Sequence, residues 1–115
     1  MDAHGQTVIE TGTLAPDALE AAATFYGRVA ADIARAVSSG ATSVVLALPQ
    51  APHDHTGWRR AVARDMARAH APVRVNVIAG DDEAATAATC SYLAGASGIT
   101  GQYLPTDGMG AGEME

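Results

Sequence analysis

The segment Ser43–Leu48 (Ser-Val-Val-Leu-Ala-Leu) constrains this chain more than any other, because it is apolar at successive positions without alternation. Side chains of a strand point to opposite faces in turn, so such a strand must be covered on both sides. That is how a strand reads inside a parallel sheet sandwiched by helices. The 115 residues suffice for one domain and leave no room for two. A chain of this length removes roughly two thirds of its unfolded surface from water. Hydrophobic residues make up 48% of it, which argues against disorder, but much of that content is alanine. Alanine packs closely and buries little area, so the expected core is tight and shallow, and burial against another subunit would add to it.

The remaining segments fall into an alternating order. Thr7–Glu10 is a short β-branched run and a first strand. Pro16 or Asp17 suits the first turn of a helix that runs to Val37, with an apolar face at Leu19, Ala22, Tyr26, Val29, Ile33 and Val37. Gly40 suits its C-terminal cap. After Ser43–Leu48, the loop Pro49–Gly57 carries His53, Asp54 and His55, and Thr56 is placed to cap the next helix. There Trp58, Val62, Met66 and Ala69 fall on one side, and Arg60, Arg64 and Arg68 form a solvated stripe. Val73–Ala79 is a third strand. Asp81, Asp82 and Glu83 suit the N-terminus of a helix over Ala84–Ala94, where the backbone dipole favours negative charge. Ile99–Leu104 is a fourth strand, closed by Pro105, and Gly108–Glu115 reads as a frayed acidic tail. The expected fold is β-α-β-α-β-α-β: a three-layer α/β domain over residues 1–107, with about four parallel strands and helices on both faces.

From the third strand onward the chain resembles the short-chain dehydrogenase/reductase superfamily. Arg74-Val75-Asn76-Val77-Ile78-Ala79-Gly80 is similar to its "R-V-N-x-I-x-P-G" strand and loop. The helix Trp58–Ala67 resembles its "L-x-x-A-L-A-x-E-L-A", and Ala87–Ala94 its "A-x-x-x-x-F-L-x-S". Gly98-Ile99-Thr100-Gly101-Gln102-Tyr103-Leu104-Pro105-Thr106-Asp107-Gly108 is close to its closing "x-I-T-G-Q-x-L-x-V-D-G-G". The matches run in family order and cover about residues 58–110; residues 7–48 match by element order alone. The resemblance implies the C-terminal half of a Rossmann-like domain. It also shows two departures. Nothing like the glycine-rich cofactor turn opens the chain. The catalytic Tyr-x-x-x-Lys of the family should fall near Leu48–Asp54, where no tyrosine stands, and the chain has no lysine at all. The proline before Gly80 is replaced by Ala79. Hydride transfer by the family mechanism is therefore not expected, nor is a nucleotide cofactor. The family dimerises through long helices that correspond to Asp17–Val37 and His55–His70, which implies a homodimer. An unpaired edge is expected along Thr7–Glu10.

A net charge of −6 argues against nucleic acid as a partner. No apolar run approaches the ~18 residues of a membrane span. The single cysteine, Cys90, excludes an internal disulfide and fits a cytoplasmic location. Chemistry, if present, is expected at the carboxyl ends of neighbouring strands, where His53, Asp54 and His55 follow one strand and Asp81 and Asp82 follow the next. Such a rim could take an unknown small molecule, bind a divalent metal or hold a general base. Hydrated loop polarity accounts for the same residues with less, so no metal or cofactor is assigned. Asn76 reads as structural, Cys90 as a buried inert thiol, Trp58 as a core or interface anchor, and Phe25, Tyr26 and Tyr92 as packing residues.

Overall fold

A computed structural model describes the backbone of residues 2–3 and residues 5–106 in full. The acidic tail and Asp107 lie outside the described residues. The elements in chain order are β1 (Asp2–Ala3), β2 (Gln6–Glu10), α1 (Ala18–Thr24), α2 (Ala30–Ser38), β3 (Ser43–Leu48), α3 (Thr56–His70), β4 (Arg74–Ala79), α4 (Glu83–Gly95) and β5 (Tyr103–Pro105). A π-helical turn, Phe25–Val29, joins α1 to α2, and a 3₁₀ turn, His53–His55, leads into α3. One sheet in the order β1-β2-β3-β4-β5 contains all the strands among the described residues. β2 to β5 are parallel, with Gln6 opposite Ser43, Ser43 opposite Arg74 and Val77 opposite Tyr103. The four parallel strands and surrounding helices are the α/β, Rossmann-like arrangement that the chain's alternation dictates.

Burial on both faces explains the unalternating strands. Val44, Leu46, Val75 and Val77 point to one side and pack with Phe25, Val29, Ile33 and Val62 of the α1–α2 and α3 layer. Val45 and Ile78 point to the other side and pack with Cys90 and Leu93 of α4. Ser43, the polar member of β3, is fully buried but donates to Gln6 Oε1 at 2.9 Å, while Gln6 Nε2 donates to the Cys90 carbonyl at 2.9 Å. This chain of bonds ties β3 to β2 and β2 to α4, and leaves no buried polar atom of the three unsatisfied.

Several local expectations need correction. The first strand's edge is not bare along its whole length, because β1 pairs antiparallel with Gln6 and Thr7. The second half of the helix face lies where the spacing predicts, with Val29 and Ile33 buried, but the first half is displaced by one residue: Ala21 and Phe25 are buried, while Leu19 is 81% and Tyr26 47% exposed. The π turn is the reason, since it inserts extra backbone per turn and keeps residues four apart on one line where an α-helix would drift. Tyr92, on α4, is also exposed. On α3 Val62 is buried and Trp58 and Met66 pack against the core as expected, but Arg59 and Ala63 are also buried and Ala69 is exposed. β5 starts only at Tyr103, because Ile99–Gln102 is held as a loop by Asn76. Gly40 does sit just past α2 with φ of +101°, the left-handed value for which glycine is favoured.

Candidate functional site

The carboxyl ends of β2, β3 and β4 form a rim, and the sequence places its ionisable candidates there. His53 and Asp54 are exposed in the 3₁₀ turn after β3. Asp81 and Asp82 are exposed after β4, and Asp81 Oδ1 accepts the Gln50 backbone N–H at 3.2 Å, so the two loops meet. Asp82 is the N-cap of α4, its carboxylate accepting from Ala84 N–H at 3.0 Å. That bond satisfies one orphan donor of the helix and gives Asp82 a structural task.

His55 departs from the group. It is 2% exposed and turned into the protein. Its Nε2 lies 2.9 Å from the Pro16 carbonyl, and its Nδ1 accepts the Trp58 indole N–H at 3.1 Å. The indole can only donate, so the ring proton sits on Nε2 and is given to Pro16. Both ring nitrogens are thereby spent on fixing the loop before α1 to the start of α3. Among the described residues, no three His, Cys, Asp or Glu side chains stand close enough to hold a metal ion.

His53 faces a different neighbourhood. It lines a small cleft of about 250 Å³ with Gln50, Thr56, Arg60 and Tyr103, at the ends of β4 and β5. Arg60 thus comes from the stripe read as solvated and stands beside a rim histidine. Thr56 begins α3 but makes no capping bond with its side chain, and neither does the N-cap His55.

Arg59 is the residue that sequence reasoning missed. It is 1% exposed, its Nη1 donates to the Pro49 carbonyl at 2.7 Å, and its Nε has no partner among the described residues. Its guanidinium lies 5.5 Å from the Trp58 ring. Arginine is almost never buried without a paired charge. Nothing in a run of two arginines marks which will turn inward; the helical phase decides it.

A second and larger cleft, about 430 Å³, opens on the α4 face between β2, β3 and α4, with Cys90 on its floor. Burial pushes the Cys90 thiol above its ordinary value of 9.0, and the Glu10 carboxylate pushes it further in the same direction. The neutral thiol is favoured in the folded chain, so its contribution to stability is complete below about pH 9 and is lost as pH rises through the folded value. Only thiolate is nucleophilic. At pH 8, alkylation of Cys90 by iodoacetamide is expected to run slower than for a cysteine in a short peptide. Mass spectrometry of timed samples measures this, and a rate equal to the peptide's would show that the thiol is not shielded.

No helix among the described residues is long and apolar enough to cross a membrane. A search of the curated proteins and of the solved structures finds no match to the chain. The model of one family, described as short chain dehydrogenase-like protein, matches residues 9–106. That match begins at Ile9, near the end of β2, and takes in β3 to β5 and α1 to α4 whole; the chain belongs to the short chain dehydrogenase-like family.

Proposed function

We propose that this family member is a non-catalytic binding or assembly module that works as a cytoplasmic homodimer. The observation that carries the reading lies at the end of β3. Where the resemblance puts a Tyr-x-x-x-Lys pair, the chain has Leu48 through Asp54, and lysine is absent throughout. Leu48 is 4% exposed and belongs to the core beneath α3. An apolar side chain there donates no proton, and no ammonium is present to depress a tyrosine pKa. The dimer is supported by the α1–α2 layer, which presents Leu19 and Tyr26 to solvent while its other side fills the core.

Titration with NADH or NADPH, followed by the fluorescence of Trp58, is expected to show no saturable change; micromolar binding would overturn the non-catalytic reading. Light scattering is expected to give twice the chain mass, and Leu19→Glu with Tyr26→Glu is expected to halve it. A wild-type mass of one chain would end the homodimer.

A second reading makes the rim a ligand or metal site. What favours it is the cleft that joins His53 to Arg60 and Tyr103. If His53→Ala and Asp81→Ala leave every response in a thermal-shift metal and metabolite screen unchanged, this reading fails.

A further inference from the structure

The 430 Å³ cleft on the α4 face has a chemistry of its own. It exists because α4 lies over one side of the sheet only. Cys90 and Leu93 pack on Val45 and Ile78, and Val8 of β2 packs at the edge of this cluster, where it stays half-buried. Among the described residues no second helix covers that part of the face. The floor is apolar, made by Val8, Ala47 and Cys90. The lip carries three carboxylates, Glu10, Asp81 and Glu83, and among the described residues no arginine or histidine lines the cleft. The Asp81 carboxylate accepts the Gln50 backbone N–H, so the carboxylates assigned to a ligand are Glu10 and Glu83 alone. Glu10 already acts on the floor, since it adds to the upward push on the Cys90 thiol.

Size and charge together select an occupant. The volume falls within the roughly 300–1,000 Å³ of small-ligand pockets. An anion would meet the like charges of Glu10 and Glu83, whereas a cation is drawn to both. An apolar body on that cation would cover the floor. We propose that this cleft binds a small organic ammonium ion with an apolar body, of the arylalkylamine or alkylamine class, with the nitrogen at the Glu10–Glu83 lip and the hydrocarbon on Val8 and Ala47. The site is contained within one copy of the chain, so it stands whether or not the chain dimerises. It is also separate from the His53 cleft.

The test is a nuclear magnetic resonance titration of the full chain with phenethylammonium, 2-phenylethanol and phenylacetate, three probes of similar size and different charge. The amine is expected to give saturable shifts at Val8, Ala47 and Ala87, with the alcohol weaker and the acid weakest. A partly exposed ion pair changes affinity by about 1.5-fold to 5-fold. Glu10→Gln combined with Glu83→Gln is therefore expected to weaken the amine roughly 2-fold to 25-fold while leaving the spectrum dispersed. Both side chains are exposed, so the fold should survive. The proposal is overturned if the amine gives no saturable shifts at those residues. It is equally overturned if the alcohol binds as tightly as the amine, or if the shifts map to His53 and Arg60. Light scattering of the same samples reports the dimer independently.

Discussion

Phe25→Ala is expected to cost about 3–5 kcal/mol, a large part of the roughly 5–15 kcal/mol that holds a domain of this kind together. Phe25 has no solvent exposure and stands at the first position of the π turn, in contact with Trp58 at 5.9 Å between ring centroids. Truncation leaves a cavity between the α1–α2 layer and the sheet, ringed by residues that already pack against one another. Tyr26, the next residue, meets Phe25 edge-to-face at 5.2 Å but is 47% exposed. Tyr26→Ala is expected to cost under about 1 kcal/mol. Urea unfolding of the two variants side by side measures the difference. It tests the phase of the helix directly, because a face running through Tyr26 would reverse the order. Equal losses would show that the π turn does not set which ring is inside.

Asn76→Ala is the second large effect, at about 2–5 kcal/mol. Asn76 is fully buried in β4 and spends both ends of its amide on one loop. Nδ2 donates to the Ile99 carbonyl and Oδ1 accepts from Gln102 N–H, each at 3.0 Å. The loop is also held by Gly101 N–H on the Val75 carbonyl, at 2.8 Å, and by Val75 N–H on Thr100 Oγ1, at 3.0 Å. Gly101 takes φ of +76° with Ala67 Cβ close by, a place where a side chain would be strained. Alanine at 76 strands one acceptor and one donor in a site that water enters poorly, and each orphan costs about 1–3 kcal/mol. The amide of Gln102 should then exchange with solvent far faster than in the parent chain. A loss under about 1 kcal/mol, with Gln102 exchange unchanged, would show that the loop is held by other contacts.

The buried strands were the most legible part of the molecule, and the reason is physical. Ser43–Leu48 and Val73–Ala79 carry their two-sided burial as composition, which needs no knowledge of what lies opposite. The polar exception in β4, Asn76, was legible as structural through its motif, though not its partners, which sit 23 and 26 residues further along. The long helix was legible in extent and along its second half, where Val29 and Ile33 are buried, and misread at Leu19 and Tyr26, ahead of and within the π turn. The two-residue β1 was beyond reach for the opposite reason: Asp2 and Ala3 have no strand preference, and only pairing with β2 makes them one. Among the rim residues, loop position told where His53 and Asp81 would lie. It could not tell that His55 would turn inward, since that depends on Trp58 one helical turn away offering its indole proton.

The wide turn divides the layer over the sheet into unequal partners. α1 has seven residues and buries one of them, Ala21, whereas the turn itself buries Phe25 and Val29. The first turns of this continuous helix therefore have little burial to hold them. They should be the first part of the layer to come loose, in brief excursions that leave the sheet intact. Because Pro16, just ahead of them, is moored to His55, each excursion pulls on the segment that starts α3. Motion at one end of the molecule is thereby communicated to the loop that carries His53.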